Sequence, residues 1–382
     1  MKKKGPPLWL SMTVLMLALI WRMVGAPITA EQFASLRIDL GQARILLPSR
    51  TERILNVWLG EKHEAVFQEP AEEKISLNVY VTQENRMAQM LLEDYVCGVL
   101  AAEMPAQYHL EALKAQAVAA RTRALWQRGQ GGCSQHPGAD ICTDSAHCQG
   151  YATQAECQER WKDSFEPYRN RMMEAQQATQ GQVITYDGEL ITVLYHAISG
   201  GATENAENVF AQSLPYLISV ESTGEEGAKG FWQDQFISYQ EMAQKLNASP
   251  EEIQRSFSIG GYTSGGRVKS VHIAGNEMSA SSFRSLMGLR STWFSISSNA
   301  EGITFHQRGY GHGVGMSQAG ANAMAASGAE YEDILLHYYP GVLLEKVQTH
   351  EEPSVRTAYV RRDVYAAEQP LQEQPAQAVY QI

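Results

Sequence analysis

The stretch from Val99 to Pro105, VLAAEMP, places one carboxylate, Glu103, at the end of an apolar helix. Leu92, Val96, Val99, Leu100 and Glu103 recur at helical spacing, and Pro105 turns Met104 away from helical angles, so a helix over 92–103 is expected to stop there. The unpaired carbonyls of a helix C-terminus carry partial negative charge, and together with apolar neighbours they disfavour an ionised side chain and hold its proton. A carboxyl that keeps its proton is what general acid catalysis requires. The competing reading is a solvated surface glutamate, the common state of this residue type. The next helical pattern, 109–127, puts Leu110, Leu113, Ala117, Ala120 and Ala124 on one stripe and Lys114 and Arg121 on another. Folded back around Pro105, Lys114, Arg121 and the amide of Gln116 would face a cleft shared with Glu103.

A second constellation is Cys133, His136, Cys142, His147 and Cys148, all inside a glycine-rich stretch. His136, Cys142, His147 and Cys148 offer two imidazoles and two thiolates, a tetrahedral set that suits zinc and leaves Cys133 spare. A Cys142–Cys148 disulfide is the alternative, and it would leave both histidines unexplained. Four protein ligands close a tetrahedral shell, so a structural metal is expected, and a zinc hydrolase would regain ground only if one of the four did not bind. Elsewhere, Tyr195 and His196 precede Ser199-Gly200-Gly201, while Tyr310, His312 and Gln318 occupy a glycine-rich turn. These are groups suited to gripping sugar hydroxyls and acetamido groups, although either histidine could instead be buried and satisfied by backbone. Neither Ser199 nor Ser317 sits in a nucleophile elbow, which disfavours a serine triad.

The elements that must position these groups read as an α+β arrangement of mixed strands and helices around a long groove. Strands are expected over 34–47, 74–82, 183–186, 190–197 and 267–274. The third and fourth are joined by an Asp187-Gly188 hairpin turn, and the last ends in a Gly275-Asn276 turn. Helices are expected over 281–287 and 331–338, and no regular structure over 129–150. Lys2 to Lys4 precede an apolar run over 8–21, which reads as a signal anchor with the remainder of the chain outside the cell, single-pass in the cell membrane. Cleavage after Val24-Gly25-Ala26 is the competitor. The expected organisation is therefore a cytoplasmic stub and anchor over 1–26, an extracytoplasmic domain over 27–350 and a disordered tail over 351–382. A net charge of −11 over 382 residues argues against nucleic acid as a partner, while 17 Tyr and 7 Trp are compatible with a glycan groove.

Glu103-Met104-Pro105, the 110–121 run, Tyr195 to Gly201 and Gly309 to Gln318 together, over roughly 75–347, resemble the stage II sporulation protein D family of cell-wall enzymes. The resemblance implies a membrane-anchored lytic transglycosylase that cleaves peptidoglycan between MurNAc and GlcNAc. Glu103 would be the sole catalytic carboxyl, and Lys114, Arg121 and Tyr195 would position the glycan. It also implies zinc on the His, Cys, His, Cys pattern. Implied too is a role in remodelling septal wall during engulfment, on glycan strands stripped of stem peptides. The partners would be a cell-wall amidase and a small membrane protein. Because related domains include an amidase enhancer, a non-catalytic glycan-binding enhancer is the alternative, and a zinc amidase a third reading.

Overall fold

The computed structural model describes residues 74–210 and 212–347. The expected anchor, the 34–47 strand and the tail lie outside the described residues. Among the described residues no helix is long and apolar enough to cross a membrane.

Strands β1 (Ser76–Val81) and β2 (Arg86–Leu91) form an antiparallel hairpin. Alternation buries Leu77, Val79 and Val81 of β1 on one face. β2 runs straight into helix α1 (Leu92–Glu103), which ends as the sequence predicts: Met104 is extended (φ −119°, ψ 135°), as the residue before a proline prefers. Helix α2 (Leu110–Gly129) follows. It runs through the centre of the first core, and its alanines explain why: Ala112, Ala115, Ala117, Ala119, Ala120 and Ala124 are all fully buried, and their small side chains let neighbours approach closely. Of the polar groups expected along this helix, Arg121 and Gln116 are fully buried and Lys114 is half-buried.

The 129–150 stretch is not wholly irregular, because β3 (Ile141–Cys142) adds a parallel strand to β1. Helices α3 (Gln154–Trp161) and α4 (Phe165–Ala178) precede β4 (Gln182–Tyr186) and β5 (Glu189–Leu190). The hairpin between them turns through Asp187 (φ 51°) and Gly188 (φ 81°), both left-handed as a two-residue primed turn demands. The strand expected over 190–197 is broken. The Ile191 N–H still donates to the Ile184 carbonyl at 3.3 Å, but residues 192–194 leave the sheet, and the Thr192 N–H donates to Tyr216 Oη at 3.3 Å. Only β6 (Tyr195–His196) resumes.

After the short helix α5 (Glu207–Phe210) the chain builds a second core. It contains β7 (Trp232–Ser238), α6 (Tyr239–Leu246), α7 (Pro250–Ser256), β8 (Ser258–Tyr262), β9 (Val268–Ile273), β10 (Asn276–Ser279), α8 (Ala280–Met287), β11 (Phe294–Ser298) and β12 (Gly302–Arg308). Two three-stranded sheets, ordered β10-β9-β8 and β11-β12-β7, enclose the interlocked rings of Phe257, Phe283, Phe294 and Phe305. The chain then returns to the first core. β13 (Met316–Ser317) pairs in parallel with β6, α9 (Gln318–Ala326) and α10 (Tyr331–Tyr338) pack on it, and β14 (Leu343–Lys346) pairs with β4.

Candidate active site and metal-binding cluster

Glu103 is the last residue of α1, and two groups reach its carboxyl from distant parts of the chain. The Gly150 N–H donates to Oε1 at 2.8 Å and Gln318 Nε2 donates to Oε2 at 3.4 Å. A Cβ at position 150 would lie 2.8 Å from Oε1, so any larger residue there would push the Glu103 carboxyl aside. Burial raises the pKa of Glu103, while the bonds from Gly150 and Gln318 pull the other way. Desolvation is the largest cause of that shift, in keeping with the apolar neighbours expected around the end of α1. Among the described residues no second carboxylate contributes to that shift.

Tyr195 lies close enough that the Glu103 charge, after burial, raises its phenol pKa further. Its Oη donates to Gln149 Oε1 at 2.8 Å, and Gln149 Nε2 reaches the Ala120 carbonyl at 3.3 Å and Tyr95 Oη at 3.4 Å. The pairing of β6 with β13 sets Tyr195 beside Met316 and His196 beside Ser317, which delivers Gln318 to Glu103 at the start of α9.

The peptide of Val314 fixes both histidines of the two glycine-rich motifs. His196 Nδ1 donates to its carbonyl at 3.1 Å, and its N–H donates to His312 Nδ1 at 3.0 Å. His312 thus carries its proton on Nε2, and His196 presents a bare Nε2 that is buried with no partner among the described residues. Burial lowers both pKa values, that of His312 to about 3, with neighbouring charges pushing the same way, so both rings are neutral. Tyr310 bridges Ile198 through its backbone, and its ring lies under the Arg290 guanidinium at 5.0 Å.

Several expected contacts are not formed. Arg121 does not face Glu103: it is fully buried, with Nε and Nη2 paired to the two Glu93 oxygens at 2.8 and 2.7 Å and Nη1 on the Gln182 carbonyl at 3.0 Å. Lys114 pairs with Glu111 at 2.6 Å, one turn back on its own helix. Gln116 is fully buried, and neither amide atom has a partner among the described residues. Ser199 is also fully buried; its Oγ donates to the Glu225 carboxylate, which accepts from Ser317 Oγ (2.7 Å) and the Gly201 N–H (3.1 Å) as well. That buried carboxylate, not a ligand, satisfies the 199–201 turn. Gly200, at φ 87°, packs on the Arg308 carbonyl.

The cysteine–histidine cluster forms with one member exchanged. Cys133, Cys142, His147 and Cys148 bring their ligand atoms within 4.8 Å of one another. His136 lies apart, stacked on Tyr80 with ring centroids 3.6 Å apart. The local turn accounts for this correction. The Cys133 N–H donates to the Ala139 carbonyl at 2.8 Å, which closes the loop, draws Cys133 inward and leaves His136 on the far side. Gly132 (φ 90°) permits it, since a Cβ there would lie 2.3 Å from the Ala139 oxygen. All five cysteines are free thiols, so the alternative disulfide is not formed. The donor set fits zinc. Zinc–sulfur and zinc–nitrogen bonds of about 2.3 and 2.0–2.1 Å at tetrahedral angles give N···S edges of about 3.6 Å. His147 Nδ1 lies 3.5, 3.5 and 3.3 Å from the sulfurs of Cys133, Cys142 and Cys148. His147 Nε2 is held by Ser134 Oγ at 3.0 Å, the kind of outer partner that orients a metal-binding imidazole.

A family model described as a stage II sporulation protein matches residues 80–186, the stretch that holds Glu103, the cluster and Gly150. Stage II sporulation protein D of Bacillus subtilis (strain 168) is 35% identical over 272 residues, 71% of this chain and 79% of that protein. Its counterpart in Bacillus amyloliquefaciens is 34% identical over 271 residues, with the same coverage. The amidase enhancer of Bacillus subtilis (strain 168) is 28% identical over 301 residues, 65% of this chain and 40% of the enhancer.

Proposed function

Because this chain belongs to the stage II sporulation protein D family, we propose that it is a lytic transglycosylase that cleaves peptidoglycan glycan strands between MurNAc and GlcNAc. One observation carries the reading: a half-buried carboxyl, Glu103, inclined by desolvation to keep its proton, held by the Gly150 amide and Gln318, and shifted by no second carboxylate among the described residues. Glycoside hydrolases ordinarily flank the scissile bond with two carboxyl groups. A transglycosylase dispenses with the second because the muramic acid's own C6 hydroxyl is the nucleophile.

Glu103 gives its proton to the glycosidic oxygen as the bond from C1 to that oxygen breaks. The C6 hydroxyl attacks C1, its proton passes to the Glu103 carboxylate, and the products are a 1,6-anhydro-MurNAc end and a free GlcNAc hydroxyl. The acid is regenerated. Neutral His312, with Tyr195, Tyr310 and Gln318, would supply donors and acceptors for sugar hydroxyl and acetamido groups without adding charge, while His196, whose Nε2 is buried, holds the Val314 carbonyl.

Zinc is the proposed cofactor, held by Cys133, Cys142, His147 and Cys148. It supplies a crosslink, since four protein ligands leave no position for water. We further propose a cell-membrane protein anchored through residues 8–21 with its catalytic domain outside. Its partners would be an amidase that strips stem peptides first and a small membrane protein, during engulfment. The likeness to an amidase enhancer favours a second reading, a non-catalytic glycan-binding enhancer of such an amidase.

Digestion of purified wall followed by mass spectrometry decides between them. The lytic reading requires anhydro-muropeptides, and Glu103→Gln should lower their release by ~10²- to 10⁴-fold with glycan binding retained. Binding without anhydro products supports the enhancer, and near-normal release by the variant would reject the assignment of Glu103.

A further inference from the structure

Cys148, Gln149 and Gly150 are consecutive residues with three separate attachments. Cys148 belongs to the cluster. Gln149, only 2% exposed, joins α1, α2 and β6 through Tyr95, the Ala120 carbonyl and Tyr195. Gly150 donates its N–H to Glu103. The segment then runs on along α1: the Ala152 N–H donates to the Gly98 carbonyl at 3.0 Å, and Tyr151 packs so closely that a Cβ on Gly98 would lie 2.1 Å from its ring. At its other end the cluster is tied to β1 through β3, where the Asp140 N–H donates to the Asn78 carbonyl at 2.7 Å and the Thr143 N–H to the Tyr80 carbonyl at 3.1 Å.

We propose that the Cys133, Cys142, His147 and Cys148 cluster is a positioning device for the Glu103 carboxyl, acting through the Gly150 amide; this rests on the lytic transglycosylase reading. With peptide planes rigid, only the ψ of Cys148 and the φ and ψ of Gln149 separate the Cys148 Cα from the Gly150 nitrogen. Gln149 is already clamped by its side chain. Fixing Cys148 in a tetrahedral shell therefore fixes the direction of the Gly150 N–H, and a hydrogen bond weakens steeply once that direction is lost. Gly150 is a positioning residue: it acts on the acid through its N–H. Without an ion, the three thiols and the imidazole lose the bond that draws them together, and upstream of Gln149 the segment keeps only the β3 ties to β1 and the Cys148 N–H bond to the Asp144 carbonyl.

Hydrogen exchange at the Gly150 amide tests this in the full chain, with zinc content followed by elemental analysis. Removing zinc with a chelator should speed Gly150 exchange by roughly tenfold or more while amides inside α2 stay protected. The Glu103 carboxyl ¹³C titration should move to higher pH, because the bond that favours the carboxylate is lost. A purely structural cluster would instead lower protection evenly. If the chelated chain unfolds, Cys133→Ser, which keeps three ligands, is compared with wild type for the same two signals. In zinc-loaded protein, Gly150→Ala should cost about 10²-fold in kcat with KM nearly unchanged. Unchanged Gly150 exchange and Glu103 titration in metal-depleted or C133S protein would overturn the proposal. Full release of anhydro ends by Glu103→Gln would instead remove the catalytic reading and leave the exchange result standing.

Discussion

A carboxyl that gives a proton and takes it back needs opposite things from its surroundings at the two stages. Burial serves the first at Glu103, because it favours the neutral acid; the Gly150 N–H and Gln318 Nε2 serve the second, because they favour the carboxylate. The sign of a pH effect follows. Activity requires protonated Glu103 and falls as pH rises through its pKa, so a change that raises that pKa moves the alkaline limb of the rate profile upward. Gln318→Ala removes a lowering contact and should shift the limb to higher pH while reducing the maximum rate a fewfold, since a 3.4 Å bond is weak. A limb that moves downward or stays fixed would mean that Gln318 does not act on Glu103. At this scale Glu103 was legible because its signal is local, an apolar helix stopped by a proline. Gly150 was not, because nothing in the residues around it shows that a loop passes within hydrogen-bond distance of α1. Cys133 was visible as a cysteine, but the turn that exchanges it for His136 depends on a backbone bond to Ala139.

Helix α2 shows what elements add to residues. Read by period, Arg121 belongs to a polar stripe; in the fold it joins three elements, with Glu93 of α1 and the Gln182 carbonyl of β4 as partners. Glu93 also accepts from Gln176 Nε2 at 2.6 Å and the Gly181 N–H at 3.2 Å, so removing the arginine strands a carboxylate in a crowded site. Breaking a buried pair by deleting one partner typically costs about 3–5 kcal/mol. Arg121→Ala should therefore lower stability to urea by about that amount, and KM for glycan should change little in whatever protein remains folded. A folded, stable variant with weakened glycan binding would restore the groove role. Elements with their own punctuation were legible: α1 before Pro105, α10 before Pro340, and the β4–β5 turn at Asp187-Gly188. Strand β7 was not. It turns Trp232, Asp234 and Phe236 to solvent and half-buries Gln233 and Gln235, an inversion of the pattern by which strands are recognised.

Across the whole molecule the site is assembled from the end of α1, the loop after the cluster, and β6 paired with β13, the second of which the chain reaches only after building a separate core of aromatic rings. Such long-range closure leaves no local trace, and it places two neutral histidines, His196 and His312, against the Val314 peptide in the interior. Their depressed pKa values make stability depend on pH. Unfolding returns each ring to its ordinary pKa of 6.5, so below that pH the unfolded chain binds protons that the folded chain refuses. Stability is therefore fully present above about pH 6.5 and falls as pH drops, by about 1.4 kcal/mol per unit for each ring, down to the folded pKa, which for His312 is about 3. Glu103 acts in the opposite sense, since its raised pKa means that the folded state takes up a proton more readily than the unfolded one, but it is one group against two. Urea unfolding at pH 7.5, 6.5 and 5.5, with zinc content checked at each, should show stability declining toward the acid end. His312→Asn keeps an acceptor for the Val314 N–H without a titrating ring, and should remove about half of that decline. A profile that is flat in the wild type, or unaltered by His312→Asn at constant zinc content, would mean that these rings are charged in the folded protein and that the interior around Val314 is wetter than its packing implies.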